Sequence, residues 1–260
     1  MSRSGYYAWR MRGESQRAAD DQRLSLEIAA IFAWSEGTYG SPRVHAALRK
    51  AGIRAGRKRV ARIMRENRLK ARSARLYRRM PGTKRFFGGI PNRIVDRPTT
   101  ATNQIWVGDI TYLRSAGRWR YLAVVMDRHS RRVIGWRLGP QRGLSLTLGA
   151  LDQALARRHP PAGLVFHSDR GVEYSAFAYR KRLADLEVTQ SMKRPRELGD
   201  NAFIESFFGS MKADVVHGVT FDDDNALRHA VGAYIRRYNR SRLHSSLGYR
   251  SPIDFERETA

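Results

Sequence analysis

Three acidic residues stand in apolar surroundings. Asp109 lies in Ile105-Trp-Val-Gly-Asp-Ile-Thr-Tyr112, Asp169 in Phe166-His-Ser-Asp-Arg-Gly-Val-Glu-Tyr174, and Glu205 in Asp200-Asn-Ala-Phe-Ile-Glu-Ser-Phe-Phe-Gly-Ser-Met-Lys-Ala-Asp214. A lone acid is most often a surface residue. A charge inside an apolar strand is costly unless paired or metal-bound. Clustered carboxylates raise one another's pKa unless divalent cations neutralise them. With no cysteine and no histidine pair at ligand spacing, any metal must be held by oxygen, which favours Mg2+ with Mn2+ as a substitute. Two such ions about 3.5–4 Å apart clamp the attacking and leaving oxygens of a phosphodiester during in-line displacement. The nucleophile is then water or a DNA 3′-hydroxyl.

Periodicity predicts what must position these acids. Gln104–Leu113 reads as a strand whose alternation puts Val107 and Asp109 on one face, Trp106 and Gly108 on the other. Trp119–Asp127 and Arg132–Leu138 complete an antiparallel meander. A helix at Leu144–Arg158 leads to a short buried strand, Leu164–Ser168, with Asp169 at its end, where α/β sheets place ligands. A helix over Ser175–Leu186, a strand over Val188–Met192 and the Glu205 helix follow, the last capped by Asp200 or Asn201. The 35 residues between Asp169 and Glu205 suffice to bring Glu205 back across the sheet end. Three strands, helix, strand, helix, strand, helix is the order of an α/β RNase H-like, integrase-type mixed sheet. Trp106, Trp119 and Trp136 are expected to pack on the sheet in the core rather than to serve as base-stacking platforms. Glu173 is expected to be a solvated surface acid. His167 and Ser168 do not read as a nucleophile and its base, because neighbouring strand residues face opposite ways.

Charge identifies the partner. The chain of 260 residues has 49 Lys plus Arg against 24 Asp plus Glu. Between Arg49 and Arg85 lie sixteen basic residues and one acid, Glu66. That density needs a polyanion, and nucleic acid fits. No apolar run is long enough to span a bilayer, so a cytoplasmic protein without a membrane partner is expected. Three helices are predicted over 22–70. The third, about Arg57–Leu69, turns Val60, Ile63 and Met64 inward and Arg57, Lys58, Arg59, Arg62 and Arg65 outward. This reads as a small helix-turn-helix-like module laying its basic helix on DNA. The expected division is a basic N-terminal segment (1–21), the helical DNA-binding module (22–70), a basic linker (71–100), the catalytic core (101–215), and a C-terminal helix and tail (216–260).

The words around the acids carry more than their composition. Trp106-Val-Gly-Asp-Ile-Thr-Tyr112, His167-Ser-Asp-Arg-Gly171 and Asp200-Asn-Ala-Phe-Ile-Glu-Ser-Phe-Phe208, with Lys212 seven residues past Glu205, closely resemble the OrfB transposases of bacterial insertion sequences, within the DDE transposase and retroviral integrase superfamily. Tyr39-Gly-Ser-Pro-Arg-Val-His45 and Arg57-Lys-Arg-Val-Ala-Arg62 resemble that family's helical DNA-binding module, and Tyr238-Asn-Arg240, Arg242-Leu-His244 and Leu247-Gly-Tyr-Arg-Ser-Pro252 its C-terminal signature. The resemblance implies that Asp109, Asp169 and Glu205 are the catalytic metal ligands, and that Lys212 touches transposon-end DNA. It adds Arg43, Arg240 and His244 as DNA-side candidates. It further implies double-stranded DNA as both end and target, a homo-oligomer on paired ends, and an upstream reading-frame product as fusion or partner. In that setting the opening Ser4–Trp9 stretch reads as truncated or internal. Two departures stand out: Glu173 replaces a frequent Gln, and Pro195-Arg-Glu-Leu-Gly199 replaces a glycine-containing loop ending in Tyr-Asp-Asn.

The function expected is metal-dependent cleavage of transposon ends and 3′-hydroxyl strand transfer. The alternatives are a nuclease of the same fold without joining, and a non-catalytic DNA-binding regulator.

Overall fold

The structure is a computed structural model and describes residues 2–4, 7, 15–72, 89–194 and 201–259. Part of the Ser4–Trp9 stretch, residues 73–88 of the expected linker, the Pro195–Gly199 loop and Asp200 lie outside the described residues. The chain divides into two compact units, Met1–Ser73 and Ala74–Ala260.

The first unit holds helices α1 (Gln16–Trp34), α2 (Ser41–Lys50) and α3 (Arg57–Glu66). Ser15 caps α1, its hydroxyl accepting from the Ala18 amide. Proline in the first turn starts α2 after Gly40. Leu24, Ile28, Val44, Leu48, Val60, Ile63 and Met64 are buried together, the spacing an amphipathic three-helix unit requires.

The second unit is a five-stranded sheet in the order β3-β2-β1-β4-β5. Its strands are β1 (Ile105–Ser115), β2 (Arg118–Asp127), β3 (Val133–Gly139), β4 (Val165–Ser168) and β5 (Thr189–Met192). β1, β2 and β3 pair antiparallel, whereas β4 joins β1, and β5 joins β4, in parallel. Both faces are covered, which explains the long apolar runs of the inner strands. One layer contains α4 (Leu144–Arg158), the short α5 (Val172–Ser175) and α6 (Phe177–Asp185). Leu151, Ala154, Tyr174, Tyr179 and Leu183 pack there with Trp106, Val125 and Phe166. The other layer contains α7 (Ala202–Met211), a π-helical turn (Lys212–Val216) and α8 (Asp224–Arg240). Ile204, Phe207, Phe208, Val231 and Tyr238 pack there against Val107, Leu122 and Val124. A 3-10 turn (Ser245–Leu247) and α9 (Pro252–Thr259) close the chain.

Four sequence expectations change. The helix expected over Ser175–Leu186 is broken at Ala176 into α5 and α6. The Glu205 helix ends at Met211 and widens into the π turn. Asn201 stands at the N-cap of α7, but its side chain makes no cap hydrogen bond. Trp119 is 49% exposed rather than in the core, because its strand leaves the covered part of the sheet there.

Candidate active site

Asp109 and Asp169 meet where one strand stops beside another. The parallel register pairs Ile105–Gly108 of β1 with Val165–Ser168 of β4. β4 stops there and Asp169 is the next residue, while β1 continues through Asp109. The Gly108 of the Trp-Val-Gly-Asp motif has a steric cause. A Cβ built there would lie 2.5 Å from Cζ of Phe166 on β4. Gly108→Ala is therefore expected to cost about 1–3 kcal/mol of stability through overpacking. It should also lower activity by displacing Asp109, and thermal denaturation alongside a cleavage assay checks both.

Each of the two carboxylates is anchored by the backbone. Asp109 Oδ1 accepts from the Ile110 amide at 2.8 Å, and Asp169 Oδ1 from the Gly171 amide at 2.9 Å. Burial, then repulsion from Asp169 and Glu205, pushes the Asp109 carboxyl well above the ordinary carboxylate range. Burial also pushes Asp169 up, opposed by the Gly171 amide and by Arg142. Glu205, in the first turn of α7, lies in the electrostatic field of Asp109. Its Oε1 accepts from Lys193 Nζ at 3.3 Å. Lys212 is held with its ammonium 4.3 Å from the Tyr112 ring centroid. Burial lowers its pKa, and Asp109 opposes that shift.

Among the described residues, no three acidic, histidine or cysteine side chains are drawn together tightly enough to form a finished metal-ligand set. Glu205 pairs with Lys193 instead. The donor chemistry nevertheless fits a hard divalent ion. Two half-buried carboxylates stand together, Asp169 and Glu205 both act on Asp109, and every donor is oxygen.

Glu173 corrects another expectation. It is 7% exposed, not solvated, and forks onto Arg142, with 2.6 Å from Nε to Oε1 and 3.0 Å from Nη2 to Oε2. Arg142 thus reaches from the β3–α4 loop to α5 and acts electrostatically on Asp169 and Asp109. Neither Arg142 nor Lys193 stands in a motif that could have flagged it; each is one cation in a chain full of them. His167 and Ser168 are fully buried; His167 Nδ1 is bonded to Ser191, and the Ser168 hydroxyl donates to the Asp169 carbonyl.

The basic candidates divide. On α3, Arg57, Lys58 and Arg65 are exposed, whereas Arg59 and Arg62 both bind Asp21 of α1. Arg43 is half-buried, 5.9 Å from the Tyr39 ring. Arg240 lines a cleft of about 1000 Å³ with Arg132, Arg158 and Arg257, which contains none of the three acids. His244 packs on Tyr238, with ring centroids 4.7 Å apart, and its amide donates to the Arg250 carbonyl.

The comparisons agree with this architecture. The Integrase core domain family matches residues 99–197, a second family described as Integrase core domain matches 186–252, and the HTH-like domain family matches 19–77. The "Insertion element IS600 uncharacterized 31 kDa protein" of Shigella sonnei is 37% identical over 257 residues, covering 98% of this chain and 94% of that protein. "Transposase InsF for insertion sequence IS3A" of Escherichia coli (strain K12) is 37% identical over 262 residues, covering 98% and 90%. Among solved structures, a chain of the simian T-cell lymphotropic virus intasome, in complex with the PP2A regulatory subunit B56 gamma, superposes with a TM-score of 0.51 at 19% identity. It covers 88% of this chain and 74% of that one, a likeness of fold.

Proposed function

This chain belongs to the family of integrase-core transposases of bacterial insertion sequences, and from that premise we propose that it cuts DNA at the ends of an insertion sequence and joins the freed 3′-hydroxyl to a target strand. The observation that carries the reading is the junction at which β4 ends beside β1, with Asp109 and Asp169 side by side and Glu205 within the field of Asp109. In this reading Asp109, Asp169 and Glu205 hold divalent cations, Mg2+ by preference and Mn2+ as a substitute. When bound, these cations supply charge stabilisation for the in-line displacement at phosphorus.

The chain's own groups do the rest. The Ile110 and Gly171 amides fix the two aspartates, so that the middle of β1 and the end of β4 present their carboxylates. Glu205 joins them by giving up Lys193. Lys212 holds a phosphate of the end DNA in this reading, which its position over Tyr112 and in the field of Asp109 supports. Arg57, Lys58 and Arg65 of α3 offer the exposed cations of the HTH-like unit to the duplex. Both ends of an element must be processed together, so two or more copies assemble on paired ends. The product of an upstream reading frame serves as fusion or partner, and the setting is the bacterial cytoplasm. The described residues include no helix long and apolar enough to cross a membrane.

The test incubates the purified chain, with and without the upstream product, on labelled duplexes carrying the element's ends, with Mg2+ or Mn2+. The expected outcome is nicked ends plus labelled products longer than the substrate. Nicks without longer products would make it a nuclease. Binding without either would make it a regulator.

A further inference from the structure

Beside the acids, β1 and β2 run on past the covered sheet as a hairpin, and that hairpin carries aromatic rings on its surface. Tyr112, three residues beyond Asp109, is 38% exposed, and Trp119 is 49% exposed. Alternation buries Thr111, Leu113 and Ser115 and leaves Tyr112 and Arg114 outward. The Tyr112 and Trp119 rings meet edge to face, with centroids 5.1 Å apart. A cation closes each end of the pair. Lys212 Nζ lies 4.3 Å from the Tyr112 centroid, and Arg114 Cζ lies 5.3 Å from that of Trp119, its cross-strand partner. The order Lys212, Tyr112, Trp119, Arg114 therefore forms a stripe of two adjacent rings with a cation at each end, and its Lys212 end lies in the field of Asp109. Arg118 adds a further exposed cation at the start of β2.

Cross-strand packing alone accounts for the ring pair, worth about 0.2–1 kcal/mol. It does not account for leaving half a tryptophan in water beside Arg114, on a ring pair whose other end holds Lys212 in the field of Asp109. Rings that accept a π-face, with positive charge on either side at phosphate reach, are how proteins hold unstacked nucleotides. We infer that Trp119 and Tyr112 form a stacking platform for an unpaired nucleobase of the DNA strand being cut, with Lys212 and Arg114 on its flanking phosphates. This rests on the DNA-joining reading above and adds a requirement to it: the end duplex opens locally at the reacting phosphate. The platform tolerates any base, because every base offers a π-face.

The experiment is an abasic scan of the end duplex. Bases near the cleavage position are removed one at a time while the sugar-phosphate backbone is kept, and the affinity of the full chain is measured without divalent metal. With the wild-type chain, one or two adjacent abasic positions are expected to weaken binding on the order of tenfold. Trp119→Ala should bind the intact end weakly and lose sensitivity to those positions, and Trp119→Phe should restore it. Thermal denaturation verifies that Trp119→Ala folds. The proposal is overturned if wild type is indifferent to every abasic position, or if Trp119→Ala shows the wild-type profile. It is equally overturned if Trp119→Ala changes the oligomeric state and leaves the profile alone, since the stripe would then be a protein–protein surface. Asp109→Asn separates the two readings, because it should keep the wild-type profile while losing cleavage. Cleavage retained in that variant would overturn the active-site assignment and leave the platform standing.

Discussion

Asp109→Asn is expected to abolish metal-dependent cleavage and joining while leaving the fold and DNA affinity in place. The amide is isosteric, and its oxygen still accepts from the Ile110 amide, so β1 has no steric reason to move. What disappears is a negative charge at the centre of the proposed cation site. Metal-borne stabilisation of the transition state amounts to several kcal/mol. A fall in rate of at least about a thousand-fold, some 4 kcal/mol, is therefore expected. The sign of the stability change separates this from unfolding. Burial, together with Asp169 and Glu205, pushes the Asp109 pKa up, so near neutral pH its charged form opposes folding. Removing the charge should leave the metal-free Tm unchanged or higher. Added Mg2+ or Mn2+ should raise the Tm of the wild type, because a ligand of the folded state stabilises it, and should do so less for the variant. A variant that still cleaves, or one whose Tm falls sharply, would defeat the assignment.

How much of this site could be read from the chain depends on what kind of order fixes each residue. The sheet was legible because strand alternation and helix periodicity are local, and each strand and the Leu144–Arg158 helix fall within a residue or two of the expected bounds. The closeness of Asp109 to Asp169 comes from the parallel register, in which Gly108 pairs with Ser168 and the next residue of each segment is an aspartate. Burial of other acids did not follow. Asp127 is completely buried, yet it serves the β2–β3 turn by accepting from the Asn103, His129 and Ser130 amides. Nothing in its sequence setting distinguishes that role from metal binding; only the partners do. Glu173 was misread for the same reason, because its partner Arg142 lies 31 residues away on another strand's loop. Trp119 was misread because tryptophan predicts burial on average, whereas exposure depends on where the covering helices end. Asn201 was expected to cap α7. Instead it is buried with neither side-chain polar atom hydrogen-bonded among the described residues.

Asp214→Ala carries the largest expected loss of stability, and its cause lies in the turn that follows α7. Asp214 sits in the π turn with its side chain 3% exposed, and Oδ2 accepts from Arg242 Nη1 at 2.6 Å; that arginine is 7% exposed. Arg237 of α8 stands 3.9 Å from the same oxygen. Truncation leaves a buried guanidinium without its counter-charge, which costs about 3–5 kcal/mol. For a domain of this size that corresponds to a fall in Tm on the order of 10 °C. The consequence reaches the site because the π turn begins at Lys212 and continues the helix that bears Glu205. Residual activity below the new Tm should therefore show weaker binding of end DNA as well. If the cost is the orphaned charge, then Asp214→Ala combined with Arg242→Met removes both charges and recovers most of the lost stability. A double variant as unstable as the single one would show instead that Asp214 matters to the π turn through its own backbone neighbourhood, and the coupling to Arg242 would have to be abandoned.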